Sequence, residues 1–394
     1  MKKLLFVIPT LRMGGAEKAL TSLLKSLDPS SVQVSLFLFE ADGPLRAQIP
    51  DWVNILPENK VTRAMTLEFR RYWADLLRER KLCAAAMRLR SSLQPTIEQK
   101  IRKKKCFTWG YVKKHIQPIA DSYDAAIGFL EGVTDFFVLD KVNAKKKIGW
   151  IHTDFSNRRL SAEEIAYYNR FDRLVTITES CRQAFLKATG VPEEKVCVIG
   201  NISDPAEIRR MSEEPADLCW DQNVKHLLTV ARLEWQKGID LALLACKQLM
   251  EAGANICWHV LGDGSLESWL RQEITAYGLE SRFVLEGVAV NPYPYMKKAF
   301  AIVQPSRVEG KSIVLDEAKI LGKAIITTNY PSVEDQLTNE INGLIVNADA
   351  DSIAAGVLRL LNDETIAASL MQNARSSSCR DNPIQSFFRL IDTL

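Results

Sequence analysis

The chain has 394 residues, of which 47% are hydrophobic and 25% charged, and its formal net charge is +3. This length exceeds that of an ordinary single domain and predicts two domains of about 150–200 residues, each with its own core. The composition excludes a collagenous or largely disordered protein. The eight cysteines are scattered and form no C-x-x-C pair, which argues against a disulfide framework and is typical of a protein of the reducing cytoplasm.

The apolar run at the start, MKKLLFVIPT, is not a convincing signal peptide, because it ends at Pro9 and no small-residue cleavage site follows. It is better interpreted as a buried strand. No stretch approaches the roughly 18 apolar residues of a membrane span. The sequence therefore predicts a protein that contacts a membrane only from outside it.

Strands and helices are predicted to alternate along both halves of the chain. The predicted strands are residues 4–8, 32–39, 124–129, 147–151 and 174–178, then 227–230, 256–261, 283–285, 301–304, 324–327 and 343–346. Helices are predicted at 16–27, 238–252, 265–277 and from about 312 to 322. This alternation predicts an α/β protein with two doubly wound, Rossmann-like parallel-sheet domains facing across a cleft. The polar, proline-bearing stretch 202–224 is the predicted linker.

The loops that follow strands are where such sheets bind ligands. The strand ending at residue 304 is followed by PSRVEGKS and then by a helix in which Glu317 falls inside the apolar arc. A carboxylate there needs hydrogen-bond donors, because unpaired burial costs several kcal/mol. The donors come either from the protein or from the hydroxyl groups of a ligand, and the spacing alone leaves both open.

Several other residues at strand ends could bind an anion. Arg232 and Lys237 could neutralise a diphosphate, although such residues are often solvated surface charges. Gly14 and Gly15 either let an anion approach backbone N–H groups or form a tight turn. Gly262, in the sequence GDG, has the same two interpretations, the second being a strand-to-helix turn capped by Ser265.

His152 ends a predicted strand and is followed closely by Asp154, so it is either a structural donor or part of a site. The D-x-D sequence at Asp349 to Asp351 directly precedes a helix, and acids are favoured there by capping and by the helix dipole. No histidine or cysteine cluster has the spacing of metal ligands. The sequence therefore predicts no metal.

Seven segments together resemble the retaining family-4 glycosyltransferases of the GT-B fold. They are RMGGAEKAL, GWIHTDFS, LLTVARLEWQKGIDLAL, HVLGDGSLESWL, FVLEGV, EGKSIVLDE and NGLIV, in the order of that family. EGKSIVLDE carries the E-x7-E signature as Glu309 and Glu317. The resemblance extends over nearly the whole chain. It implies transfer of a hexosyl or N-acetylhexosaminyl group from a nucleotide-diphosphate sugar, with retention of configuration and without a metal or other cofactor.

The same resemblance implies an acceptor-binding domain at 1–203, a nucleotide-sugar-binding domain at 204–378 and a C-terminal helix at 379–394 that returns to the first domain. Glu317 would hold the ribose hydroxyls, and Glu309 would contact the donor sugar at the reacting centre. The residues implied elsewhere are Arg232, Lys237, Gly14 and Gly15 at the diphosphate, Gly310, Lys311, Ser312 and Ile313 at the donor sugar, and His152 at the reacting groups, with Asp154 and Gly262 in support. Many family members read E-G-F-G where this chain has Lys311 and Ser312, so sugar selectivity stays open.

A basic segment at 60–118 contains sixteen lysines and arginines and four acids. Within it, aromatic and leucine side chains at helical spacing form one apolar face, namely Phe69, Tyr72, Trp73, Leu76 and Leu77. No nucleic-acid-binding module accompanies these charges. They favour an anionic membrane surface or a lipid-diphosphate acceptor.

The sequence thus predicts a glycosyltransferase that uses a UDP-sugar and a glycan or polyprenyl-diphosphate-linked acceptor. Its expected place is the cytoplasm, peripheral on the inner face of the plasma membrane, in the synthesis of bacterial cell-surface polysaccharide. One alternative is a nucleotide-sugar epimerase, which would need an acid and a base to deprotonate a sugar carbon. The other is a non-catalytic partner subunit, against which the presence of both Glu309 and Glu317 argues.

Overall fold

The computed structural model describes residues 1–59, 61–63, 109–216, 218–377 and 383–393. The described chain divides into two compact units, Met1–Gly200 with Pro383–Leu394 and Asn201–Asn382. Each unit is built on one parallel sheet. The central part of the basic segment, residues 64–108 with the predicted apolar face at 69–77, lies outside the described residues.

The first unit contains a seven-stranded sheet with the order β3-β2-β1-β4-β5-β6-β7, all parallel. Its strands are β1 Lys2–Ile8, β2 Val32–Leu38, β3 Asn54–Ile55, β4 Ser122–Gly128, β5 Asn143–Ile151, β6 Arg173–Thr176 and β7 Val196–Val198. The five strands predicted for this half are all present. The two edge strands β3 and β7 were not predicted, because two or three residues are too few to give an alternating pattern.

The helices of the first unit are α1 Gly15–Ser26, α2 Trp109–Val112, α3 Val133–Lys141, α4 Ala162–Tyr168 and α5 Glu179–Thr189, with the C-terminal helix Pro383–Asp392. Aromatic side chains fill much of the core, where Phe37 stacks on Phe137 with ring centroids 5.1 Å apart. The C-terminal helix contributes the fully buried Phe387, whose ring lies 6.1 Å from that of Phe6 and 6.2 Å from that of Trp150. This helix is therefore part of the first unit's core.

The second unit contains a six-stranded parallel sheet with the order β10-β9-β8-β11-β12-β13. Its strands are β8 Lys225–Val230, β9 Ile256–Leu261, β10 Phe283–Gly287, β11 Ala301–Gln304, β12 Ala324–Thr328 and β13 Leu344–Val346. Its helices are α6 Pro205–Ser212, α7 Ile239–Glu251, α8 Glu267–Ala276, α9 Tyr293–Lys298, α10 Ile313–Ile320, α11 Ala350–Asn362 and α12 Glu364–Ser377. All six predicted strands are present.

Both faces of this second sheet are buried, which explains why its strands are apolar throughout. Trp258 and Val260 of β9 belong to the core on one face, whereas Leu261 and the neighbouring Leu228 belong to the core on the other. Two doubly wound α/β units are what the alternation of predicted strands and helices implied.

The segment 202–224 is not a simple linker, because its first part folds as α6. The side chain of Asp204 accepts hydrogen bonds from the backbone N–H groups of Ala206 and Glu207, and Pro205 occupies the first turn. Asn291 donates to the carbonyl of Met211 at 2.9 Å, which attaches the end of α6 to the second unit. An aspartate cap followed by proline is a helix-start signal that the polar composition obscured.

Among the described residues, no helix combines the length and the apolar character needed to cross a membrane. No disulfide joins the five described cysteines, at positions 181, 197, 219, 246 and 257.

Candidate functional site

Three loops converge at the carboxyl edge of the second sheet, because β9, β8 and β11 are neighbours in it. Two glycines make this convergence possible. A Cβ atom on Gly238 would lie 1.9 Å from the carbonyl oxygen of Pro305, and one on Gly262 would lie 2.0 Å from that of Ala231. Both also have positive φ angles, 67° and 144°. Gly262 therefore allows the loop after β9 to pack closely against the loop after β8.

The centre of this edge is an ion pair between Lys237 and Glu309. The Nζ atom of Lys237 lies 2.7 Å from Oε1 and 2.6 Å from Oε2 of Glu309. The side chains are only 18% and 9% exposed. Folding thus brings together two of the predicted site residues that are 72 positions apart in the sequence.

Neutral donors complete the surroundings of the Glu309 carboxylate. Its Oε1 accepts hydrogen bonds from Ser306 Oγ at 2.8 Å and from Gln304 Nε2 at 3.3 Å. The backbone carbonyl of Glu309 accepts from Ser332 Oγ at 3.0 Å. Removing one member of such a buried pair leaves an uncompensated charge and typically lowers the free energy of unfolding by about 3–5 kcal/mol. The carboxylate is consequently held in one place by several groups.

The other predicted cation, Arg232, is exposed at the end of β8. The loops around it are cross-linked by different residues. Arg307 binds Asp240 with two parallel hydrogen bonds of 2.7 and 2.6 Å. The Arg307 guanidinium lies 4.4 Å from the ring centroid of Trp235, and Trp235 is 62% exposed. Arg232 is thus exposed to solvent, although the loops around it are held together by the Arg307–Asp240 pair.

Ser265 was predicted to cap the helix after β9, and this prediction is wrong. Helix α8 begins at Glu267 and its N-cap residue is Leu266. Ser265 instead donates to the Glu234 carboxylate, from its backbone N at 3.2 Å and from Oγ at 2.8 Å. These bonds join the loops after β8 and β9 and lower the pKa of Glu234.

Glu317 lies on α10 and is 1% exposed, as its position in the apolar arc predicted. Its Oε1 accepts a hydrogen bond from the hydroxyl of Tyr293 at 2.9 Å. Burial, together with the Glu317 charge, raises the pKa of Tyr293. One of the donors that the buried carboxylate needs is therefore supplied by the chain itself.

The residues that follow Glu309 are held by partners within the second unit. Gly310 leads to Lys311, whose Nζ lies 3.3 Å from the carboxylate of Asp316, so the cation beside the predicted donor site is paired. Burial opposes ionisation of Asp316, but Lys311 and Lys319 outweigh it and the pKa is lowered.

The backbone at the start of α10 is fixed in the same way. Gln336 accepts from the N–H of Ser312 and donates to its carbonyl, both at 2.8 Å. Ile313, the first residue of α10, is buried. The turn that carries Gly310 to Ile313 is thus tied to the segment after β12.

Gly14 and Gly15 lie in the first unit, at the start of α1. A Cβ atom on Gly14 would lie 2.2 Å from Oε2 of Glu17, so a carboxylate of the chain covers this glycine. Thr10 Oγ1 donates to the same carboxylate at 3.4 Å. The negative charge at this helix start therefore comes from Glu17.

His152 follows β5 in the first unit and is 9% exposed. Its ring lies 5.0 Å from that of Phe129 and is stacked with that of Trp150 at 6.3 Å. Burial lowers the pKa of His152 to about 3, so the imidazole is neutral at physiological pH. Within the described part of the chain, no group bonds to its Nε2 atom.

The backbone at His152 is fixed by an acid that the sequence did not single out. Glu131, after β4, accepts from the N–H of His152 at 2.9 Å and from Oγ1 of Thr153 at 2.8 Å. Asp154 accepts from the backbone N and the hydroxyl of Ser156 at 2.9 and 2.7 Å, which forms a local turn. Glu131 is a positioning residue whose only sequence signal was its place after a strand.

The D-x-D sequence is used for capping, as predicted. Asp349 is the N-cap of α11 and accepts from the backbone N and Oγ of Ser352 at 2.7 and 3.0 Å. Asp351 accepts from Gln248 Nε2 at 2.6 Å. Both aspartates of the D-x-D sequence thus accept hydrogen bonds from other residues of the chain.

Comparison with known proteins gives consistent results. Residues 210–377 match the family model described as glycosyl transferases group 1, and this match lies within the second unit. An uncharacterized glycosyltransferase of Methanocaldococcus jannaschii is 25% identical over 244 residues, which are 58% of this chain and 60% of that protein. The amylovoran biosynthesis glycosyltransferase AmsK of Erwinia amylovora is 26% identical over 258 residues, or 60% of each chain. The chain thus spans about 60% of the length of these curated relatives.

The whole chain also superposes on a solved structure. The crystal structure of Anabaena HepE in complex with UDP and glucose covers 100% of both chains with a TM-score of 0.68 and 17% identity. At this identity the likeness establishes the fold alone. The predicted fold class, two parallel-sheet α/β domains of the GT-B type, is confirmed.

Proposed function

We propose that this chain is a retaining glycosyltransferase that transfers a hexosyl or N-acetylhexosaminyl group from a UDP-sugar to a glycan or lipid-linked acceptor. The observation that carries the proposal is the buried pair of Lys237 and Glu309, held where the loops after β8, β9 and β11 meet. Its support from relatives is the family match over residues 210–377 and the UDP and glucose bound by HepE.

The pair suits a reaction in which a diphosphate leaves a sugar. The ammonium of Lys237 supplies positive charge for the phosphate oxygens as they gain negative charge, and Arg232 adds a second cation at the exposed rim. The Glu309 carboxylate beside it can face the sugar carbon, where positive charge develops. Because the carboxylate already has three donors from the chain, it is positioned before the donor binds.

Glu317 is proposed to bind the ribose hydroxyls, together with the Tyr293 hydroxyl that already reaches it. The proposal includes no metal, because Lys237 and Arg232 take the place that a divalent cation would have at the diphosphate. His152 is proposed to contact the donor sugar or to orient the reacting groups, as predicted, and its neutral imidazole can do so by hydrogen bonding. Polysaccharide synthesis is the proposed setting, since AmsK is named for amylovoran biosynthesis.

Thermal unfolding in the presence of a panel of nucleotide sugars tests the donor class. A ligand at 100 times its dissociation constant stabilises the native state by about 2.7 kcal/mol. UDP-sugars are expected to raise Tm, whereas GDP- and ADP-sugars are not, and the UDP-sugar that raises Tm most is then assayed with EDTA in excess. Stabilisation by none of the UDP-sugars would overturn the proposed donor. Complete loss of transfer in EDTA, restored by Mn²⁺, would overturn the metal-free part.

A further inference from the structure

Two histidines and a cysteine meet on one face of the second sheet, away from the Lys237 and Glu309 pair. The parallel pairing of β8 with β9 places Cys257 opposite His226, and His259 two residues further along the same face. The Nδ1 atom of His226 lies 2.9 Å from Nε2 of His259. One ligand atom from each of the three residues lies within 4.8 Å of the others, and all three residues are at most 9% exposed.

The outer nitrogen of each imidazole already has an acceptor. His226 Nε2 lies 2.8 Å from the carbonyl oxygen of Asp221, and a carbonyl can only accept, so this nitrogen carries a hydrogen. His259 Nδ1 lies 2.6 Å from Oε1 of Glu286, and an ionised carboxylate also accepts. In the neutral rings, the two nitrogens that face each other, Nδ1 of His226 and Nε2 of His259, therefore both lack a hydrogen.

Two bare nitrogens at 2.9 Å repel each other unless a cation lies between them. That cation is either a proton or a metal ion. The outer bonds to a carbonyl and a carboxylate are those that metal-binding histidines make in proteins. The Cys257 thiol adds a third ligand of the kind that favours zinc.

We propose that His226, Cys257 and His259 form a binding site for a single thiophilic divalent metal ion, with Zn²⁺ the expected occupant. In a tetrahedral zinc site the ligand atoms lie about 3.3–3.8 Å apart, so the three atoms need to move by about 1 Å. On binding, the Cys257 thiol releases its proton to solvent, along with any proton that the imidazoles share. A water molecule would fill the fourth position.

Such an ion would stabilise the fold and take no part in sugar transfer. His226 is the second residue of β8, whereas Lys237 follows the opposite end of that strand. The ion would connect β8 and β9 directly, and β10 through Glu286. It would also hold Trp220, whose ring stacks on both imidazoles with centroids 4.7 and 4.2 Å away.

Metal titration of the full chain tests the site, after dialysis against a chelator and with Zn²⁺ and Co²⁺ as the probes. We expect one ion per chain, a cobalt spectrum with a thiolate charge-transfer band, and a higher Tm with Zn²⁺. Cys257→Ser should remove the band and His259→Gln should abolish tight binding. Cys246→Ala is the control, because Cys246 is also a buried thiol of the second unit, but its Sγ donates to the carbonyl of Arg282, whereas that of Cys257 donates to the carbonyl of Ser281.

Glu286→Ala provides a variant that leaves all three ligands in place, and it should weaken Zn²⁺ by about 10–100-fold. Zinc that binds the Cys257→Ser and His259→Gln variants as tightly as the native chain would overturn the proposal, as would absence of binding at micromolar zinc. In the latter case the imidazoles share a proton. UDP binding measured on the same samples keeps this outcome separate from the proposed function.

Discussion

Buried titratable side chains at the carboxyl edges of the two sheets differ in their ionisation state. At the edge of the second sheet, Lys237 and Glu309 are both ionic and neutralise each other. At the edge of the first, burial keeps two groups uncharged: it lowers the pKa of His152 to about 3 and raises that of Asp135, in α3, well above its usual value. The second unit thus has a buried ion pair at this edge, whereas two buried titratable groups at the edge of the first unit are neutral.

The largest effect is expected from removal of the cation in the buried pair of the second unit. Lys237→Ala should lower kcat by about 10²–10³-fold, because the departing diphosphate loses its nearest positive charge. Steady-state kinetics with the best UDP-sugar measure the effect. Lys247→Ala is the control, since Lys247 is a lysine of α7 that pairs with Glu251 at 3.9 Å on the surface. A kcat within twofold of the native value in Lys237→Ala would contradict the role of the pair.

The second prediction separates the two glutamates within the charged edge. Glu309→Gln should lose turnover and still bind UDP, whereas Glu317→Ala should weaken UDP by about 1–3 kcal/mol through lost ribose contacts. Calorimetric titration with UDP measures both.

Tyr293→Phe is the control for Glu317, because it removes the hydroxyl donor and keeps the carboxylate. It should weaken UDP less than Glu317→Ala does. Equal losses of UDP affinity in the Glu309 and Glu317 variants would refute the division of labour. A Glu317→Ala variant with native UDP affinity and a lower Tm would make Glu317 a purely structural acid.

The third prediction concerns the basic segment of the first half, of which residues 64–108 lie outside the described part. If it binds an anionic membrane, each Lys or Arg contributes about 1 kcal/mol near the surface. Changing Arg70, Arg71, Arg78 and Arg80 to Glu should then release the protein from anionic vesicles in a sedimentation assay. UDP binding should stay unchanged, because none of the residues proposed to bind the donor lies between 64 and 108. Equal binding to neutral vesicles, or binding that salt does not weaken, would indicate another role.

The smallest expected effect tests the buried, neutral imidazole of His152 in the first unit. The pKa of His152 is about 3 in the native chain against an ordinary 6.5, so below about pH 6.5 the unfolded chain binds a proton that the native chain does not. The free energy of unfolding should therefore fall as the pH falls. His152→Asn should lose about 1 kcal/mol less than the native chain between pH 7 and 5.5. Urea unfolding measures this, with the exposed His115→Asn as control, and identical slopes in all three proteins would show that His152 is not buried as described.

The sequence predicted the elements that bury a repeating apolar face. All strands of the two sheets except β3 and β7, and helix α10 with its buried Glu317, were predicted from the sequence pattern, because burial of one face constrains the residue types along it. The start of α6 carried its signal in Asp204 and Pro205, but this signal was outweighed by the polar composition around it. Burial in a core was not sufficient, since α3 buries Phe136 and Phe137 and was not predicted.

The contacts of the site were much less predictable. The pairs of Lys237 with Glu309 and of Tyr293 with Glu317 join residues 72 and 24 positions apart, and neither separation has a local pattern. His226 and His259 are 33 positions apart and meet only because β8 pairs with β9. The sequence indicated which residue types lie at strand ends but not which of them pair.

The C-terminal helix gives the two units different histories during synthesis. Asn201–Asn382 is one continuous segment, so all of its strands and helices are available once residue 382 has left the ribosome. The first unit must wait for Phe387, which packs against Phe6 and Trp150. Its aromatic core therefore stays incomplete while nearly two hundred further residues are translated, and during that time the exposed apolar surface is a target for chaperones. A chain truncated after Asn382 and released from the ribosome should contain a protease-resistant second unit attached to a protease-sensitive first one.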